Sequence, residues 1–395
     1  MSLKSNLQAL AEKHLPFAFC LLRTFKPILT IQQFTLVTRF TDVQEVLSRP
    51  DVFGVTYAEK MGIVTGGSNF FLGMDNTTTY TRDVSNMRII IRREDIDAII
   101  VPMVTRLAQE AIAPHSGTLD VVKHVCGAVP ARFVKEYMGI PGPSEAEIID
   151  WTTYLFQYLF FPGNPKEVDD TAIAYAAKLR PYLDGLIAVR KAQPDSKDDI
   201  IARCLALQRS GAPGMTDVDI RNNLIGIIIG AIPTTSKAAA LVIDYLLDHP
   251  ELLAAAQISA RQNDIAAIRQ YVLEALRFNT FGAGVFRVAN ADYILASGAC
   301  RARKIKKGTQ VLALTQSAML DGRQLSSPKE FRLDRPLYHY MHFGYGMHTC
   351  FGQYINLAQI PLIVSAILKL PNLKRSGKTQ YRGPFPTSLP VEFGS

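Results

Sequence analysis

The residues Phe343-Gly344-Tyr345-Gly346-Met347-His348-Thr349-Cys350-Phe351-Gly352 place one cysteine in a glycine-punctuated loop that leads straight into an apolar run. That pattern suits a thiolate bound to a single metal. A thiolate under a cofactor keeps its charge where backbone N–H groups turn toward the sulfur, and Gly346 and Gly352 let a backbone wrap closely around it. Haem iron held by one cysteine is the chemistry that fits. A merely structural cysteine would leave the flanking glycines unexplained. The other four, Cys20, Cys126, Cys204 and Cys300, are scattered, and the absence of any C-x-x-C pair argues against a disulfide framework or a zinc site. Glu274-Ala275-Leu276-Arg277 sets a carboxylate and a guanidinium three apart, on one face of a helix, where they can pair.

The elements that position these groups follow from periodicity. Residues 216–248 form the longest expected helix, opened by a Thr216/Asp219 pair resembling a capping box and closed before Pro250. Residues 224–232 are apolar on every side, which predicts a helix crossing the interior. Arg221, Asn222 and Asn223 before that run, and Pro233, Thr234, Thr235 and Lys237 after it, make it too short for a membrane span. A strand is expected over 34–38, and a helix opening at Asp42 and stopping before Pro50. Helical periodicity returns over 88–113, 121–138 and up to Arg277. Residues 285–314 alternate, with turn signals at Gly298 and Lys307-Gly308, and read as a small antiparallel sheet. Residues 54–76 read as a long irregular loop whose Tyr57, Met61, Phe70 and Phe71 cover a pocket, roofed by Phe156, Tyr158, Phe160 and Phe161. The fold class is mainly α with a small antiparallel β part, as a single domain over 1–395.

Composition supports a soluble globular protein. The chain is 48% hydrophobic and 20% charged, so core material is not limiting and extended disorder is excluded. The apolar patch at 15–29 carries Arg23, Lys26 and Pro27, which predicts neither a membrane span nor a cleaved signal. The formal charge of +8 is spread out except at Arg301-Ala302-Arg303-Lys304-Ile305-Lys306-Lys307, the rim of a hairpin. Without aromatic or helical support that run predicts no nucleic-acid binding, and an acidic electron-transfer partner is the better use of positive charge. The scattered cysteines suit a reducing cytoplasm.

The spacing Phe343-x-x-Gly346-x-x-x-Cys350-x-Gly352, with His348 two before the cysteine, resembles the haem-binding loop of the cytochrome P450 family of haem-thiolate monooxygenases. Further stretches resemble that family in the expected order: 43–53, Asp248-His249-Pro250-Glu251, 307–311 and Ala318-Met319-Leu320-Asp321. The resemblance implies haem b, iron protoporphyrin IX, ligated by Cys350 within a loop that includes Phe343, Gly344 and Gly352. It also implies propionate contacts from Arg287 and His348, and a buried triad of Glu274, Arg277 and Arg335 that pins the loop. The family's usual third propionate contact comes from a His-x-x-x-Arg helix. Here the chain has Tyr80-Thr81-Arg82 and then Arg88, leaving Tyr80, Arg82 or Arg88 for that role, with Arg82 foremost. After Gly352 the customary Leu-Ala-Arg-x-Glu is replaced by Ile355-Asn356-Leu357-Ala358-Gln359.

The sharpest departure is Gly230-Ala231-Ile232-Pro233-Thr234-Thr235, where the family carries an acid before a threonine for proton relay. Thr234 and Thr235 stand, but proline replaces the acid, and a kink is expected there. The leading expectation is a monooxygenase acting on a small apolar substrate with electrons from a ferredoxin- or flavodoxin-type partner. The alternatives are an enzyme that uses peroxide or a hydroperoxide, and a non-catalytic haem-binding or sensing protein.

Overall fold

The computed structural model describes residues 17–68, 70–193 and 197–394. It is mainly helical, with small sheets. Of the apolar patch at 15–29, residues 15 and 16 lie outside the described residues, and 17–25 are helical. The chain divides into two compact units, one of residues up to Thr56 with Thr280–Phe351, the other of Tyr57–Asn279 with Gly352–Ser395.

The first unit is built on strands β1 (Ile28–Ile31), β2 (Phe34–Val37), β3 (Phe53–Gly54), β4 (Val285–Ala289), β5 (Tyr293–Leu295), β6 (Arg303–Ile305) and β7 (Gln310–Ala313). Five form one sheet in the order β1-β2-β7-β4-β3, and β5 and β6 form a separate hairpin. The expected antiparallel pairing of β4 with β7 is present, Val285 facing Ala313 and Val288 facing Gln310. β2 and β7, however, run parallel, Phe34 beside Gln310 and Val37 beside Ala313. Alternation within a strand cannot reveal such a pairing between segments some 270 residues apart. The helix Phe40–Ser48 starts two residues before Asp42, which sits in its first turn. Buried Asp42 accepts from Arg301 (2.6 Å), and Glu45 accepts from the Tyr293 hydroxyl (2.9 Å), tying the basic hairpin to this helix.

In the second unit the helix Asp217–Leu247 opens on the expected capping box, Thr216 Oγ1 accepting from Asp219 N–H while Asp219 accepts from Thr216 N–H. It runs through Pro233 without interruption, about 46 Å at the standard rise. By length and composition it would suffice to cross a membrane, so the expectation that it is too short does not hold. Yet 72% of its apolar window is buried inside the protein, as in a core helix. Helices Glu145–Phe160, Lys166–Ala192, Ile265–Phe278 and Gln353–Leu368 all lie against it.

Residues 57–76 are not the irregular loop their composition suggests. They form the helix Ala58–Thr65 and a tight turn at Phe71–Gly73, with Met61 and Phe71 fully buried. Arg180 and Arg221 donate to the carbonyls of Val64 and Thr65 (both 3.0 Å), capping a helix end that Gly and Asn-rich sequence had masked.

Buried ion pairs in this unit include Glu274–Arg277 and Asp95–Arg203. Arg277 Nε and Nη2 donate to the two Glu274 oxygens at 2.9 and 2.7 Å, and neither side chain is exposed. Arg335, in the first unit, donates to the carbonyls of Ser326 and Ser327 (both 2.7 Å), closing a turn in which Ser327 has φ +44°. Asp95 accepts from Arg203 and from the Tyr137 hydroxyl (2.7 Å). Burial pushes the Asp95 carboxyl up, but Arg203 and Tyr137 together hold it below its ordinary value. Replacing Arg277 with Leu strands a buried carboxylate and is expected to cost about 3 to 5 kcal/mol, read by denaturant titration. Because the folded pKa of Asp95 is depressed, its contribution is present above the ordinary carboxylate range near 4 and is lost as pH falls through the folded value. Stability of Asp95→Asn measured from pH 7 to 3 is therefore expected to show a shallower acid limb than the parent.

Candidate active site

The cysteine loop belongs to the first unit. Cys350 N–H donates to the Phe343 carbonyl at 2.8 Å, and Thr349 N–H and Oγ1 both donate to the Gly346 carbonyl. Gly344 and Gly346 have φ +74° and +71°. At Gly346 a side chain is impossible on a second ground, since an added Cβ would meet the Leu47 carbonyl oxygen at 2.3 Å. The loop is thus a closed backbone ring seated on the end of the Phe40–Ser48 helix, with Cys350 in no disulfide and partly exposed. Gly352 caps the helix Gln353–Leu368, the apolar run expected after the loop.

Two of the remaining cysteines lack that character. Cys126 and Cys204 are wholly buried, and burial pushes both thiols up, Cys204 to about 12, so neither is a thiolate near neutral pH. Among the described residues no three His, Cys, Asp or Glu side chains gather to hold a bare metal ion. A metal on Cys350 must bring its other ligands with it, which is what a macrocycle does. Arg287 is buried on β4, with Nη1 donating to the Phe286 carbonyl (2.8 Å), and His348 is partly exposed in the loop itself. One thiol, one buried guanidinium and one imidazole fit a haem and its carboxylates.

The second unit holds the other predicted residues. Thr234 Oγ1 donates back to the Gly230 carbonyl within the long helix. Thr235 points elsewhere and donates to Asn356 Oδ1 at 3.0 Å. Two sequence departures, the proline-threonine stretch and the Asn356 stretch, are therefore physically joined. Between Asn222 and Thr235, where the helix is otherwise buried, Ile227, Gly230, Ala231 and Thr234 remain partly exposed, and an added Cβ at Gly230 would meet nothing within 4 Å. At one turn's spacing these residues share a face, and that face opens on free space. At Gly226 the same helix is covered by Phe70, whose ring would lie 2.2 Å from an added Cβ.

Tyr80, Arg82 and Arg88 lie on the helix Thr78–Ile90. Arg82 Nε pairs with Asp83 at 2.7 Å and lies over Gly214, while Arg88 is exposed. Burial raises the phenol pKa of Tyr80 against the opposing charge of Arg88. Of the expected roof, Phe156, Phe160 and Phe161 join Tyr57 and Phe385 in one set of ring contacts. Tyr158 sits apart, its ring under the Lys60 ammonium. Phe385, Asn356 and Lys237 were missed from sequence. Of these, Lys237, a charge inside an apolar helix, and Asn356, in a departure from the family pattern, carried a visible signal.

Residues 144–387 match the protein-family model described as Cytochrome P450. Relatives include "Cytochrome P450 109" of Bacillus spizizenii, 25% identical with 85% of this chain and 78% of that one aligned. The "Mycinamicin VIII C21 methyl hydroxylase" of Micromonospora griseorubida is 26% identical over 69% of this chain and 63% of its own length. Among solved structures, P450BioI in complex with hexadec-9Z-enoic acid ligated acyl carrier protein superposes with a TM-score of 0.82, covering 97% of this chain and all of that one at 20% identity.

Replacing Cys350 with Ser is expected to abolish the red-shifted Soret band of the reduced, carbon monoxide-bound protein. Cys126→Ser and Cys204→Ser should leave it intact. A surviving band in the Cys350 variant would remove this residue from the site.

Proposed function

We propose, for a chain that belongs to the cytochrome P450 family and is a haem-thiolate monooxygenase, insertion of one oxygen atom from O₂ into a small, largely apolar molecule. Electrons come from a separate ferredoxin- or flavodoxin-type protein, in the cytoplasm, and residues 1–395 act as one domain. The observation that carries the substrate class is the partly exposed face of the long helix at Ile227, Gly230, Ala231 and Thr234, in a unit whose aromatic side chains also form a partly exposed wall. Apolar walls of this kind desolvate and orient a hydrophobic ligand. A relative named as a methyl hydroxylase and another named as a vitamin D3 dihydroxylase support hydroxylation of apolar compounds.

Haem, when bound through Cys350, supplies the activation of O₂, with the thiolate favouring O–O cleavage. Arg287 and His348 hold its carboxylates as charge-assisted hydrogen-bond donors. Thr234 holds the proton position: its hydroxyl hydrogen is directed at the Gly230 carbonyl, leaving the oxygen lone pairs to accept from water or from a substrate donor. Pro233 offers no titratable group, so protons must reach Thr234 through water or substrate.

That same proline favours one further reading, a peroxide-using enzyme, which needs no acid relay. Pro233→Asp restores both a carboxyl group and an N–H for the Ile229 carbonyl. With a reductase system, the variant is expected to raise the fraction of electrons that reach product, with a rate gain up to about a hundred-fold, the low end of what a positioned acid contributes. Efficient peroxide-driven turnover of the parent, with no gain in the variant, would instead establish the second reading.

A further inference from the structure

The helices Val101–Ile112 and Gln353–Leu368 pack against each other, and between them lies a cavity of about 420 Å³. Val101, Thr105 and Ile112 line it from one helix and Leu362, Ser365 and Ala366 from the other, at spacings that put each set on one helical face. With only a serine and an alanine in the middle of the second face, the two helices meet without filling the space between them. The volume falls in the lower part of the range of small-molecule sites, about 300 to 1,000 Å³. Gln109 and Ala113 are exposed at the rim, which leaves a way in. None of these residues belongs to the open stripe of the long helix or to the aromatic wall.

The polar groups around the cavity are otherwise committed. Thr105 Oγ1 donates back to the Val101 carbonyl at 2.8 Å. Lys369, the C-cap of its helix, donates to Asn263 Oδ1 at 2.7 Å, where the carbonyl end of the helix also draws a cation. Its charge therefore serves the fold. Ser365 differs. It is 2% exposed, and its Oγ meets no partner in the protein, not even the carbonyl four residues earlier that a serine inside a helix can take. A buried hydroxyl left in that state is costly, and alanine would occupy the same place without the cost. At the wall of an apolar cavity such a hydroxyl has a use when a guest brings its partner.

We propose that this cavity is a second ligand site, for a small uncharged molecule that is apolar apart from one hydroxyl or carbonyl oxygen, which pairs with Ser365. The apolar lining takes the body of the guest. Lys369 is the one charged residue among the described residues that line the cavity, and it is already held, so the lining favours a guest without charge. The haem iron is no part of this site, and filling it is read without a change in spin state.

The test uses haem-loaded parent, Ala366→Trp, which puts an indole into the cavity, and Ser365→Ala, each first checked for its carbon monoxide spectrum and thermal midpoint. 1-Octanol, 4-phenyl-2-butanone and octanoate are titrated by calorimetry and, in parallel, by the spin-state shift of the Soret band. With the parent, the alcohol and the ketone should give a binding heat that saturates without a matching spin-state change, and octanoate should bind more weakly. Ala366→Trp should abolish that heat and leave any spin-state titration as it is in the parent. Ser365→Ala should weaken the alcohol and the ketone by about three- to tenfold. The proposal is overturned if neither neutral probe binds apart from a spin-state change, if Ala366→Trp keeps the heat, if Ser365→Ala binds as well as the parent, or if octanoate binds more tightly than the alcohol. Should Ala366→Trp not fold, Ala113→Trp at the exposed rim blocks the same cavity and is judged by the same loss of heat.

Discussion

A helix that is apolar on every side has to be covered on every side, and the second unit is the solution to that constraint. Four helices and the 57–76 segment are laid against Asp217–Leu247. Phe70 covers it at Gly226, where only a glycine lets the ring approach. The helix Gln353–Leu368 reaches it through the Asn356–Thr235 hydrogen bond. Between Asn222 and Thr235 cover is withheld along one short stripe, at Ile227, Gly230, Ala231 and Thr234. An apolar surface left partly open in the middle of a core is the kind of surface a ligand pocket offers, and it supports the proposed site there.

Proline inside helices shows how this unit handles broken backbone pairing. Pro361 withholds an N–H from the Leu357 carbonyl, and Arg269 Nε supplies a donor there at 2.9 Å. Beside Pro233 the Thr234 hydroxyl turns back onto the Gly230 carbonyl, so a side chain that would otherwise point freely into the open face is oriented by the helix itself. The helix continues across this point, enclosed by its neighbours on the remaining sides.

Sequence legibility followed the range of the forces involved. The capping box at Thr216, the helix end before Pro250 and the Glu274–Arg277 pair are encoded within a few residues, and all were readable. So was the cysteine loop, whose glycines answer to local backbone geometry. The parallel pairing of β2 with β7 was not, since it joins distant segments. Nor was the order within 57–76, where the carbonyls of Val64 and Thr65 are satisfied by Arg180 and Arg221 from far along the chain. Phe385 had no signal of its own, and Asn356 stood out only as part of a departure from the family pattern: each acquires meaning from a partner more than a hundred residues away.

Where this protein buries charge for structure, it uses arginine against a carboxylate. Arg277 meets Glu274, Arg301 meets Asp42, Arg190 meets Asp199 and Arg203 meets Asp95, each through two nitrogens. A planar guanidinium loses little on being fixed in one such fork. Lys237, the lysine buried inside the long helix, is met instead by aromatic faces, its ammonium 5.4 Å from the ring centroids of both Phe161 and Phe385, where the ring quadrupoles attract a cation that burial would otherwise penalise.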